Sequence, residues 1–133
     1  MVVGIVVTHG NLAEELLGTA QTVYGAFSDC YALSNASKSP DALIAEIEGV
    51  IEAVKGKPCM IFVDFVGGSC SHACLMQASA RGDAQDIPII SGVNLPMLLA
   101  FLNKRDEVPF EELAGMIVER GAKSVQLLDA GRI

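Results

Sequence analysis

Gly4-Ile5-Val6-Val7-Thr8-His9-Gly10 decides the reading of this chain. Five of the first seven residues are Val or Ile, the continuous run of a strand buried on both faces, and the run breaks off at a polar Thr-His-Gly corner. Beyond the corner, Asn11 can cap a helix over about 11–25, in which Leu12, Leu16, Leu17, Ala20 and Val23 recur at helical spacing. His9 therefore lies between the carboxyl end of a strand and the positive end of a helix. That is where open α/β sheets bind ligands and where a phosphate is favoured. The imidazole can bind such an anion or accept a phosphoryl group covalently.

Outward from this stretch, strand and helix patterns alternate with short connections, the signature of a parallel sheet covered on both faces. Residues 29–33 read as a second strand, followed by a polar loop from Ser34 to Ser39. Ser39 then caps a helix with Pro40 at its first position and Leu43, Ile44, Ile47, Ile51 and Val54 as its buried stripe, closed by Gly56. Residues 58–63 form a third strand that ends at Asp64, much as the first ends at Thr8-His9. Phe65-Val66-Gly67-Gly68-Ser69 follows, a loop whose glycines let the backbone turn and present N–H groups before a helix running to about Arg81. A fourth strand at 87–90 leads into Ser91-Gly92-Val93-Asn94-Leu95-Pro96, where Asn94 can cap an apolar helix. A helix over 109–120 and a last strand over 124–128 complete the chain. No helix follows that strand, which leaves it antiparallel at the sheet edge or crossing to a second subunit. The expected fold is one α/β domain over 1–133, a doubly wound, mostly parallel sheet of order 2-1-3-4.

In that order the first and third strands are neighbours whose carboxyl ends flank the crevice, so His9 and Asp64 meet. A carboxylate on Nδ1–H fixes the imidazole tautomer, leaves Nε2 as nucleophile and stabilises positive charge on the ring during phosphoryl transfer. The glycine-loop amides and the Ser69 hydroxyl are then placed to hold the transferring oxygens. His9 and Asp64 are thus the candidate catalytic residues, and Thr8, Gly10, Gly67, Gly68 and Ser69 the candidate phosphate-binding residues. No metal or cofactor is required. Each feature alone has a plainer reading: a capping histidine, a turn aspartate, a tight glycine loop, a strand-end threonine. Their joint placement is what points to phosphoryl transfer. Gly49 to Lys57 imitates a Walker loop, but Pro58 stands where Ser or Thr is needed, which argues against an ATP-dependent kinase.

The formal charge of −7 and the lack of a basic stripe exclude a general nucleic-acid binder and suit a basic protein partner. The composition, 51% hydrophobic and 19% charged, is that of a chain with a substantial core. No apolar run approaches the ~20 residues of a membrane helix, and no export signal is evident, so a cytoplasmic protein without direct membrane insertion is expected. Cys30, Cys59, Cys70 and Cys74 then read as reduced thiols, the first two in the core. Cys70-Ser71-His72-Ala73-Cys74 does not make a metal site: on a helix His72 points away from the two thiols, and no second pair completes a tetrahedron.

Three motifs in order, Gly-Ile-Val-Val-Thr-His9-Gly, Asp64-Phe-Val-Gly67-Gly68-Ser69 and Ser91-Gly92-Val93-Asn94-Leu95-Pro96-Met97-Leu98-Leu99, resemble the EIIA domain of the mannose family of the bacterial sugar phosphotransferase system. The resemblance covers nearly the whole chain. It implies that His9 takes phosphate from the phosphocarrier HPr and passes it to an EIIB partner, with Asp64 orienting the histidine and Ser69 as the glycine-loop serine. It also implies a homodimer that exchanges the final strand. Two positions depart from the family pattern. Cys70 replaces the usual proline after Gly-Gly-Ser, which suggests an exposed, redox-sensitive thiol, and Val66 replaces an aromatic residue before the glycines. The lack of a linker to EIIB after Arg132 suggests a freestanding protein. A regulatory phosphorylation switch without sugar transport, and the phosphocarrier subunit of a dihydroxyacetone kinase, use the same strand-histidine layout and remain alternatives.

Overall fold

Strand β1 (Val3–Thr8) is buried along its whole length and lies inside a sheet of order β2-β1-β3-β4. Its neighbours are β2 (Cys30–Ser34) and β3 (Cys59–Val63), and β3 pairs in turn with β4 (Ile89–Ile90). All three pairings are parallel. The computed structural model describes residues 1–81 and 87–132 of the chain. Its α/β architecture and strand order are those expected from the sequence. The register sets Thr8 opposite Ser34 and Val7 opposite Val63, so the residues just past β1, β2 and β3 gather at one end of the sheet.

The side chains of β1 alternate between two cores, as the twofold repeat of a strand requires. Val3, Ile5 and Val7 pack with Leu43, Ile47 and Ile51 of α2 (Pro40–Ala53) and with Ala73 and Cys74 of α3 (Ser69–Arg81). On the other face, Val6 with Met60 and Phe62 meets α1 (Leu12–Tyr24), α4 (Leu95–Lys104) and α5 (Phe110–Lys123). Among the described residues no helix is long and apolar enough to cross a membrane.

Local chemistry starts the helices. The Ser39 hydroxyl accepts from the Ala42 amide at 3.1 Å, and Asn94 Oδ1 accepts from the Met97 amide at 3.0 Å, so both expected caps are formed. Asn11 is different: its side chain makes no capping bond. Thr8 does this work from within the strand, its Oγ1 accepting from the Ala13 amide at 2.7 Å. Ala13 rather than Leu12 thereby turns inward. The buried stripe of α1 is Ala13 and Ala20 flanked by half-buried Leu16 and Leu17, while Leu12 and Val23, expected inside, are exposed.

The last strand expected at 124–128 is not formed. Helix α5 continues three residues past the expected Arg120, to Lys123, and Ser124 closes it, its hydroxyl donating to the Gly121 carbonyl at 2.6 Å. The following residues pair with no strand among the described residues and end in a short 3-10 turn, Ala130–Arg132. Val125, Leu127 and Leu128 are 81%, 96% and 84% exposed. The apolar strand pattern is left in solvent.

Candidate active site

His9 directly follows β1 and Asp64 directly follows β3, and the parallel register brings them together. Asp64 Oδ2 accepts from the His9 backbone N–H at 2.9 Å and from Nδ1 at 2.8 Å. A carboxylate is an acceptor only, so Nδ1 carries the proton and Nε2 carries the lone pair. Asp64 Oδ1 accepts from the Phe65 amide at 3.1 Å. Burial alone would raise the Asp64 carboxyl, but the hydrogen bonds from the His9 amide and ring outweigh it and hold Asp64 below the ordinary carboxylate value.

On the far side of the ring, Nε2 lies 3.1 Å from Ser69 Oγ. Ser69 Oγ also accepts from Asn35 Nδ2 at 3.1 Å, and Asn35 Oδ1 accepts from the Gly10 amide at 3.3 Å. The Phe65 ring stacks on the imidazole with centroids 4.9 Å apart and an interplanar angle of 19°. A Cβ on Gly68 would lie 2.8 Å from His9 Cε1 and 2.7 Å from Phe65 Cζ, so only glycine lets the loop approach this closely. Ser71 holds the loop, accepting from the Gly67 amide and donating to the Gly68 carbonyl, both at 3.0 Å. Helix α3 begins at Ser69, so its first N–H groups have no acceptor within the helix and its positive end faces Nε2.

The structure thus brings His9, Asp64, Gly68 and Ser69 together. Gly10 lies beside them through Asn35. Gly67, in the left-handed region at φ 90°, has its amide engaged by Ser71, and Thr8 is fully buried with its hydroxyl engaged by the Ala13 amide of α1. Three residues escape the sequence reading: Asn35, Phe65 and Ser71. Asn35 carries a usable signal, since it is the first residue past β2 in a sheet whose other strands place His9 and Asp64 at the same level.

Cys70 is buried, not exposed as the missing proline suggested; the helix starts normally and turns the thiol inward. Burial raises its pKa, and the nearby Asp64 charge adds to the effect. Burial, with Cys70 beside it, pushes Cys74 up to about 12. Neither thiol has the character of a redox sensor. His9, Asp64 and Cys70 each offer a ligand atom within 4.8 Å of the others, a nitrogen, oxygen and sulfur set of the kind zinc accepts, but both Asp64 oxygens already accept N–H groups. His72 is exposed on the opposite side of α3 from Cys70 and Cys74.

Residues 4–118 match the family model for EIIA-man, the PTS system fructose IIA component. The chain belongs to that family. Across 137 aligned residues it is 34% identical to the PTS system mannose-specific EIIAB component of Escherichia coli K12, with 98% of this chain and 41% of that protein covered. It thus spans less than half the length of this curated relative. In fold, the EIIA-man chain is similar to phosphotransferase system component EIIA from Streptococcus agalactiae, at TM-score 0.87 and 18% identity over 100% of both chains. It is also similar to the mannose/sorbose specific IIA subunit from Enterococcus faecalis, at TM-score 0.80 and 22% identity over 96% of this chain and 94% of that one.

Proposed function

We propose that this EIIA-man protein is a phosphohistidine carrier of a sugar phosphotransferase system, taking a phosphoryl group from phospho-HPr on His9 Nε2 and passing it to an EIIB partner in the cytoplasm. The observation that carries the reading is the imidazole clamped through Nδ1 by Asp64, with Nε2 turned toward Ser69 and the start of α3. In the accepting step the Nε2 lone pair forms a bond to phosphorus as the donor's N–P bond breaks. The proton stays on Nδ1, where Asp64 stabilises the positive charge that builds on the ring. Ser69 and the first N–H groups of α3 supply donors for the phosphoryl oxygens. The exposed apolar side chains of Val125, Leu127 and Leu128 support a further part of the reading, a homodimer in which this segment is exchanged between subunits.

Intact mass after incubation with phosphoenolpyruvate, Enzyme I and HPr tests the carrier role. One acid-labile phosphoryl group is expected on wild type and on His72→Ala, and none on His9→Ala. Asp64→Asn keeps the shape and removes the charge, and is expected to slow phosphorylation ~10- to 100-fold, the value of one charge-assisted hydrogen bond. A folded wild type that takes no phosphate, or a His9→Ala variant that still does, would overturn the assignment.

A further inference from the structure

Ser69 Oγ can donate one hydrogen, and Asn35 decides where it points. Asn35 follows β2 directly, and its own amide donates to the Thr8 carbonyl at 3.2 Å, so the sheet holds it level with His9. Its side-chain orientation follows from its two neighbours. The Gly10 backbone N–H is only a donor, so the atom 3.3 Å from it is the amide oxygen, and the NH2 end must face Ser69 Oγ at 3.1 Å. That NH2 is itself only a donor. It occupies an acceptor site on Ser69 Oγ and leaves the serine hydrogen to Nε2 at 3.1 Å in preference to the neighbouring Cys70 thiol, a weak acceptor that its burial keeps protonated. Nε2 can accept because Asp64 keeps the ring proton on Nδ1. A single direction therefore runs from Gly10 N–H through Asn35, Ser69 and the imidazole to Asp64.

We propose that Asn35 is a positioning residue that sets the Ser69 hydroxyl as a hydrogen-bond donor toward Nε2, and so toward the phosphoryl group carried there; the second clause rests on the carrier reading above. When phosphorus bonds to Nε2 the serine hydrogen loses its acceptor, and the incoming phosphoryl oxygens are the nearest replacement. Asn35 keeps the hydroxyl from turning a lone pair toward an anion. It makes and breaks no covalent bond and moves no proton.

Two substitutions separate this role from a structural one. Asn35→Asp is isosteric, keeps an oxygen for the Gly10 amide, and puts an acceptor where the NH2 group stood. The Ser69 hydrogen is then drawn to the carboxylate and away from Nε2. The 15N resonance of His9 Nε2 in the unphosphorylated protein reads this directly: in Asn35→Asp it is expected to move to the position it takes in Ser69→Ala, where no hydroxyl remains. An Nε2 resonance unchanged from wild type in Asn35→Asp would overturn the assignment, whether or not the protein carries phosphate. For transfer, Asn35→Ala is expected to slow phosphorylation of His9 by phospho-HPr about two- to tenfold, one neutral hydrogen bond. In a Ser69→Ala background the same change is expected to cost less than about twofold, because the residue acts through Ser69. Equal slowing in both backgrounds would overturn the positioning role. A wild type that takes no phosphate while the Nε2 resonance moves as expected would end the carrier reading and leave the directed hydroxyl standing.

Discussion

Gly68 shows how one atom separates stability from activity. A Cβ there would press on Phe65 Cζ at 2.7 Å and His9 Cε1 at 2.8 Å. The half-exposed Phe65 can swing outward, whereas the imidazole is held by Asp64 on one nitrogen and Ser69 on the other. Gly68 is not among the glycines at positive φ, so alanine is compatible with its backbone. Gly68→Ala is therefore expected to leave the unfolding free energy within about 1 kcal/mol and to slow His9 phosphorylation roughly 10- to 100-fold through misplacement of the ring. Denaturant unfolding and a phosphorylation time course check the two halves. The other glycine of the pair, Gly67 at φ 90°, would strain under the same substitution. The depressed pKa of Asp64 sets the sign of its pH dependence. Its contribution is fully present above the unfolded carboxylate value of 3.8 and is lost as pH falls through the lower folded value, so this carboxyl stays ionised through the neutral range. His9 and Asp64 were legible in the sequence because each breaks a strand's apolar run with a polar group. Asn35 carried only a positional signal, as the first residue past β2, and the role of Phe65 depends on ring orientation, which residue types do not encode.

At the scale of elements, Thr8 joins a strand to the helix after it. Its hydroxyl is buried and accepts from the Ala13 amide at 2.7 Å, so Thr8→Val, which keeps the β-branched shape, leaves a buried N–H without its acceptor. The expected cost is about 1–2 kcal/mol, read as a lower denaturation midpoint with unchanged slope. Phosphorylation of the folded variant is expected to change less than in Ser69→Ala; a larger change would return Thr8 to the phosphate ligands proposed from sequence. The Ser39 and Asn94 caps and the stripe of α2 could be read in advance because each rests on local pattern, and the strand order because alternating strands and helices take a common doubly wound order. The start of α1 could not. Asn11 looks like the better cap, and only the geometry at the end of β1 brings the Thr8 hydroxyl onto the helix instead.

For the whole molecule, the decisive feature is the mismatch between one sheet edge and one tail. Strand β4 has two residues, pairs with β3 on one side, and presents its other edge without a strand among the described residues. The stretch after α5 alternates polar Ser124 and Gln126 with apolar Val125 and Leu127, a strand pattern, yet Leu127 and Leu128 are almost entirely exposed. Burying each leucine would contribute about 1.5–3 kcal/mol, and an open sheet edge is a ready template for another chain. Two copies exchanging these segments would satisfy both needs at once, covering each β4 edge within a closed twofold pair. Light scattering coupled to gel filtration at micromolar concentration is therefore expected to give a dimer for wild type and a monomer for the double variant Leu127→Asp/Leu128→Asp. His9, built within one chain from β1, β3 and the start of α3, is expected to remain phosphorylatable in that monomer. A monomeric wild type, or a double variant that still dimerises, would remove 125–128 from the interface; a monomer that loses phosphorylation would show that the site needs the second subunit.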